Sequence, residues 1–133
     1  MQRNTHGDEA LVPVWLWTTQ LGVFSHVTAL ALHELSDALP SRHHVTVPLA
    51  WRARRLRTPH GVVLHYADLR ADERTWSGPV PVTTPLRTLE DAARVSLDAN
   101  WIAQATEQGV RRGLFVRLDA TRAVARGKEA AST

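Results

Sequence analysis

The chain has 133 residues, no cysteine and a formal net charge of +3. That is the length of one domain, with enough interior to need no disulfide or metal staple, and the missing thiols exclude disulfides, thiolate zinc sites and a cysteine nucleophile. The polar, acidic start MQRNTHGDEALVP lacks the basic and apolar regions of a signal peptide, and apolar stretches such as VTALALHEL are too short and interrupted to span a bilayer, so the expected compartment is the cytoplasm.

In chain order, residues 1–10 are expected to be frayed. Asp8 or Glu9 can open a short helix through ALVPVWLWTTQL, with Pro13 tolerated only in its first turn. Trp15 and Trp17 fall on different faces of that helix, so one is expected to pack inward. Ser25 is a good N-cap for HVTALALHEL; Val27, Leu30, Ala31 and Leu35 recur at helical spacing as a buried stripe, and Pro40 stops the element. HHVTVP alternates and is β-branched, a strand ended by Pro48. WRARRLR is a poorer candidate, an edge strand at best.

His60-Gly61 turns the chain into VVLHYADL, the clearest strand, with Val63, His65 and Ala67 on one face and Val62, Leu64 and Tyr66 on the other. After a turn at Ser77-Gly78 comes a short strand, PVPVT. Thr84-Pro85 combines an N-cap with proline at the first helical position and starts LRTLEDAARV. Its stripe is Leu86, Leu89, Ala92 and Ala93; Thr88 neighbours Asp91, and Arg87 with Asp91 makes an i, i+4 pair expected to be exposed and weak. Asp98 caps NWIAQATEQGVRR, Asp119 caps ATRAVAR, and a small-residue tail from Gly127 to Thr133 is expected to be flexible. Two helices, then strands, then helices argue an α+β fold: a small mixed or antiparallel sheet packed by helices, with a C-terminal helical segment, in one domain over residues 11–126.

Charge is unevenly placed. Residues 1–50 hold two arginines against four acids, residues 51–67 hold Arg52, Arg54, Arg55 and Arg57 with no acid, and the remainder holds ten bases against nine acids. The four arginines are a candidate nucleic-acid or partner surface, although a solvated strand or loop explains them equally.

Seven histidines invite a metal site. His26 and His33 share a helical face but lie two turns apart, roughly 10 Å, which one ion cannot bridge. His43 and His44 point to opposite faces of a strand, and His65 can meet either across a sheet. The reading is packed, hydrogen-bonded histidines and no metal. A metal-dependent nuclease would draw on Asp68 and Glu73, but the only lysine is Lys128 and there is no E-x-K. A serine hydrolase lacks G-x-S-x-G, and Ser25-His26 are neighbours on a cap rather than a triad. No phosphate-binding glycine loop occurs. The last two helices can be drawn as a helix-turn-helix, yet the second offers Arg117, Arg122 and Arg126 without Asn, Gln or Lys to read bases. The expectation is a protein without catalysis or cofactor.

FSHVTALALHELSDALP resembles the S-H-x-[ST]-A-L-x-L-H-x-L segment of AbiEi-type antitoxins, and HHVTVP, GVVLHYADL and PVPVTTPLRTLEDAAR follow in that family's order and spacing. The resemblance covers about Trp15 to Leu118. It implies a bacterial type IV toxin–antitoxin, phage-defence system whose partner gene encodes a nucleotidyltransferase-like toxin, opposed without a stable complex. It also implies a bipartite design, an N-terminal winged helix that represses the operon and a C-terminal neutralising domain. Only about ten polar residues precede the matching helix, so the expectation is a neutralising domain without the winged helix. A DNA-binding regulator of its own operon, using the arginine surface, is the alternative. Ser25, His26, His33, His65, Thr84, Pro85, Arg87, Thr88 and Asp91 sit at the family's motif positions, where a structural role is expected.

Overall fold

The computed structural model describes residues 5–132. Its elements are α1 (Thr5–Trp17), β1 (Val23–Phe24), α2 (His26–Leu32), β2 (His43–Val47), β3 (Val62–Tyr66), β4 (Arg74–Ser77), β5 (Val80–Thr83), α3 (Pro85–Arg94), α4 (Ala99–Arg111) and α5 (Arg117–Ser132). The fold is α+β, a five-stranded mixed sheet of order β3-β2-β1-β5-β4 with a C-terminal group of helices. β1 runs antiparallel to β2 and parallel to β5, β3 runs parallel to β2, and β4 and β5 form an antiparallel hairpin. Among the described residues no helix is long and apolar enough to cross a membrane.

Two apolar clusters organise the packing. On one side of the sheet, Leu11 of α1 and Ala29 of α2 close over Phe24, Val45, Val80 and Val82, with Val62 and Leu64 joining from β3. The second cluster sits among the helices: Leu30, Leu35 and Ala38 meet Leu89, Ala105, Phe115, Ala120 and Ala123. α3 enters the second cluster through Leu89. Its side chains Thr88, Leu89, Asp91, Ala92 and Ala93 are all buried, so the helix is enclosed on more than the one face its apolar stripe marks. α5 packs on it closely enough that a Cβ at Gly127 would collide with the Glu90 carbonyl and the Ala93 side chain. At Gly109 the Phe115 ring occupies the same kind of space, closing the turn between α4 and α5.

Several expectations give way. α1 starts at Thr5 rather than at Asp8 or Glu9, so the stretch expected to fray is largely helical and Pro13 lies inside the helix, not in its first turn; Met1 to Asn4 lie outside the described residues. Trp15 and Trp17 are both half-buried, so neither packs fully inward, and Trp15 meets a neighbouring segment at Trp76, edge to face at 6.0 Å. α2 ends at Leu32 well before Pro40, with Glu34 and Ser36 at positive φ, and its fully buried alanine is Ala29, not Ala31. WRARRLR is no strand: Leu49–Ala53 is a 3₁₀ turn that leads into a loop. β1 and β4 carry no periodic signal and went unread. α5 begins at Arg117, which places Asp119 in its first turn rather than at its cap, and runs through Ser132, so the tail expected to be flexible is helical and anchored at Gly127. Thr84 and Asp98 do cap as read: the Thr84 hydroxyl accepts the Arg87 N–H at 3.3 Å and Asp98 Oδ1 accepts the Asn100 N–H at 2.8 Å.

Leu89→Ala is expected to lower the unfolding free energy by about 2–5 kcal/mol, the range for emptying a filled core position. Gly127→Ala is expected to cost about 1–3 kcal/mol by overpacking against a backbone that cannot yield. Urea titrations followed by tryptophan fluorescence measure both, and wild-type midpoints for the pair would contradict this placement of α3 and α5.

Candidate functional site

The motif residues, scattered along the sequence, converge at the end of the sheet where β1 hands over to α2 and β5 to α3. Ser25 is fully buried, and its hydroxyl does not cap α2. It turns instead toward the sheet, accepting from Thr46 Oγ1 at 2.7 Å and lying 2.8 Å from His26 Nδ1. This corrects the capping role expected of Ser25. His26, at φ 57, is swung into the interior by a backbone conformation unusual for a residue with a side chain. Because Thr46 donates to Ser25, the serine's own proton is left for Nδ1, which fits a neutral His26 protonated at Nε2.

Parallel register places His44 beside Val63 and Thr46 beside His65, all on one face. His65 therefore stacks on His26 with ring centroids 3.6 Å apart and bonds His44, Nε2 to Nδ1, at 2.9 Å. Thr28 completes the junction, its hydroxyl accepting the His44 N–H at 2.8 Å.

A second polar group surrounds α3. His33 Nε2 donates to the Thr83 carbonyl at 2.7 Å, and the Thr83 and Thr88 hydroxyls lie 2.7 Å apart. Thr88 also donates to the Thr84 carbonyl at 2.8 Å. Arg87 was expected on the surface, in an exposed pair. Its side chain is only 10% exposed and that of Asp91 only 2%, so Asp91 is buried and Arg87 nearly so. Arg87 Nε donates to Asp91 Oδ1 at 3.0 Å and Nη1 to Glu73 Oε2 at 3.0 Å, with Glu90 at 3.9 Å. Glu90 in turn holds Arg94 at 3.5 Å and Arg126 of α5 at 3.1 Å. Asp91 Oδ2 and Arg94 Nε are buried without a hydrogen-bond partner.

Burial governs the titration of this centre. It lowers the His26 pKa to about 2, helped by the positive charge that His65, His44, Arg87 and Arg94 would set against an imidazolium. Burial, and His44 beside it, bring His65 down to about 4. His44 is lowered by burial and by Arg42 and His43. Burial pushes the Asp91 carboxyl up to about 6 against the pull of Arg87 and Arg94. Burial also works on Glu73, but the Arg70 N–H and the Arg87 guanidinium hold it below the usual range.

The chemistry this permits is limited. A serine hydroxyl at bonding distance from an imidazole is the start of a nucleophile pair, and sequence adjacency alone had argued against it. Yet Ser25 is wholly enclosed and His26 nearly so; no substrate carbonyl can reach the hydroxyl in this conformation. Among the described residues no group of three or more histidines, aspartates or glutamates converges as a metal ion would need. The two carboxylates a nuclease would use are structural partners: Asp68 Oδ1 accepts the Leu49 N–H at 3.0 Å and Glu73 serves Arg87.

Several polar groups of the C-terminal helices are taken up within the chain. Gln108 Oε1 accepts the Ser36 N–H at 2.7 Å, Gln104 bonds Asp37 at both its amide atoms, and Arg117 makes a bidentate pair with Glu107 at 2.6 and 3.1 Å. Arg52, Arg54, Arg55 and Arg57 differ. All four are exposed on the turn and loop between β2 and β3, and among the described residues none forms an ion pair. Arg54 stacks on Trp51 at 4.7 Å and Arg52 lies 5.7 Å from the Tyr66 ring.

His44, Thr46, Glu73 and Glu90 belong to the centre but were not singled out as site residues. His44 and Thr46 share the period-2 face that meets His65, a signal visible in HHVTV; nothing near Glu73 marks it as a partner for Arg87. No known protein family and no curated protein matches the chain.

The lowered histidines fix a pH dependence. Their unfolded pKa lies near 6.5, so below that the unfolded chain takes up protons that the folded one refuses, and stability falls as pH falls. Asp91 acts oppositely between its ordinary value and about 6, since the fold keeps a proton that the unfolded chain releases. The histidines outnumber it, and between about 6.5 and 6 they act alone. Urea midpoints should therefore drop from pH 7 to pH 5, with a shallower drop in His65→Phe; an unchanged wild-type midpoint would contradict neutral burial of the histidines.

Proposed function

We propose that this chain is the neutralising module of an AbiEi-type antitoxin in a bacterial type IV toxin–antitoxin, phage-defence locus. It opposes a nucleotidyltransferase-like toxin in the cytoplasm, without chemistry of its own. The observation that carries the reading is the convergence of the four resembling phrases. FSHVTALALHEL supplies Ser25, His26 and His33, HHVTVP supplies His44 and Thr46, GVVLHYADL supplies His65, and PVPVTTPLRTLEDAAR supplies Thr83, Thr88, Arg87 and Asp91. The phrases thus meet in two neighbouring polar groups, which is what segments that share one fold would make.

The burial of those groups supports a scaffold rather than a reaction centre, and leaves the work to the surface. The exposed, unpaired arginines from Arg52 to Arg57 are the surface that stands out. The same four residues favour a second reading, a DNA-binding regulator. Bound through phosphates alone, duplex DNA would show steep salt dependence and no sequence preference.

The test places the neighbouring toxin under an unrelated inducible promoter, so that repression cannot rescue, and co-expresses residues 1–133. Growth should recover with the wild type and fail with Leu89→Asp, which buries an unpaired charge and unfolds the chain. Replacing Arg52, Arg54, Arg55 and Arg57 by serine should leave the circular dichroism unchanged and abolish rescue. A folded wild-type chain that rescues nothing would contradict the antitoxin reading, and nanomolar, sequence-specific binding to its own promoter would put the regulator ahead.

A further inference from the structure

β3 is the outermost strand on one side of the sheet. Natural edge strands are usually blunted by charge, proline or a bulge, because their free N–H and C=O groups invite another strand. Val62–Tyr66, with the sequence VVLHY, has no charged residue and no proline.

Its ladder with β2 shows which groups are free. The Gly61 carbonyl accepts the His43 N–H at 2.8 Å and the Ala67 N–H donates to the Val47 carbonyl at 3.1 Å. Odd-numbered residues therefore bond inward, and alternation turns the N–H and C=O of Leu64 and Tyr66 outward. The other edge, β4, is shorter, begins at Arg74 directly after Asp72 and Glu73, and carries Trp76 packed against Trp15.

Charge says what the β3 edge would take. From residue 38 to residue 67 the chain holds Arg42, Arg52, Arg54, Arg55 and Arg57 and no acid. The contact of Arg52 with Tyr66 brings the arginine loop to the end of β3.

We propose that β3 is a docking edge that accepts an extended acidic protein segment as an added strand, its carboxylates meeting Arg52, Arg54, Arg55 and Arg57. The inference rests on the reading of the arginine loop as the working surface and names the kind of partner that surface fits. Main-chain hydrogen bonds supply the affinity in strand addition and flanking side chains the choice of partner. Nucleic acid could use the arginines but has no amide ladder for Leu64 and Tyr66. A second copy of this chain would bring the same all-basic stretch to the edge, where like charges repel.

The probe is a synthetic peptide of alternating valine and threonine with glutamates at both ends, added to the ¹⁵N-labelled full chain. The Leu64 and Tyr66 amides should then exchange with solvent about tenfold or more slowly, as amides closed into a ladder do. N-methylation of the alternate peptide amides that face β3 should remove this protection, while methylation of the other set should not. Lysine in place of the glutamates, or serine in place of the four arginines, should weaken binding at least about tenfold in dilute salt. Leu64→Pro takes away one outward N–H where an edge tolerates proline, and should abolish protection at Tyr66 while the inward amides of Val63 and His65 stay protected.

Absence of binding at millimolar peptide, binding without protection of Leu64 and Tyr66, or equal binding by both methylated peptides would overturn the proposal. So would an oligodeoxynucleotide that binds the arginines when the peptide does not. If strand addition fails but the serine variant still loses toxin rescue, the loop reading stands without this inference. If strand addition succeeds and the serine variant rescues normally, the inference stands and the loop is not the neutralising surface.

Discussion

The guanidinium of Arg87, enclosed and held by Glu73, Asp91 and Glu90, is the interaction on which the rest of the structure depends. It ties the approach to β4, through Glu73, to the central helix, through Asp91, and Glu90 beside it carries the network on to Arg126 of α5. A charge withdrawn from water costs several kcal/mol of hydration, recovered only when its donors are nearly all used. Around Arg87, Asp91 and Glu73 each accept a hydrogen bond at 3.0 Å and Glu90 adds a third carboxylate at 3.9 Å. Turning α3 away would part Arg87 from Glu73 and lose the bond that holds the helix to the approach to β4.

The histidine junction follows from the same placement. With α3 fixed, β5 delivers Thr83 to His33 and Thr88, and the start of α2 is pressed to the sheet so that Ser25 and His26 face Thr46 and His65. Burial above all, with His65, His44 and the arginines adding to it, makes a proton on His26 costly, so the imidazole is neutral and its ring can stack. The positive φ of His26 fits this account: a residue held in a sparsely populated conformation persists where its surroundings over-determine it.

Much of this architecture could be read from the residues. Thr84-Pro85 announced α3 and its stripe, Asp98 announced α4, and HHVTVP and VVLHY announced two strands, because each carries a local signal at the period of its element. The two-residue β1 has no period to show, and β4 is exposed at three of its four positions. Ser25 looked like a cap because serine before a helix usually is one; only tertiary partners, Thr46 above all, turn its hydroxyl away. Arg87 looked like half of a weak surface pair because its partners within a helical turn, Asp91 and Glu90, carry no sign of burial in the sequence. Its other bonded partner, Glu73, comes from before β4, outside the helix and distant in sequence. The arginine segment is visible as charge, and its sequence leaves strand and loop both open; its apolar Trp51 is spent on the 3₁₀ turn.

The most direct measurement is the unfolding free energy of Arg87→Ala beside that of Arg117→Ala, which removes a bidentate but exposed pair. Losing one partner of a buried ion pair costs about 3–5 kcal/mol, so Arg87→Ala should lower the urea midpoint sharply while Arg117→Ala leaves it near that of the wild type. Equal midpoints for the two variants would contradict the central place given to Arg87.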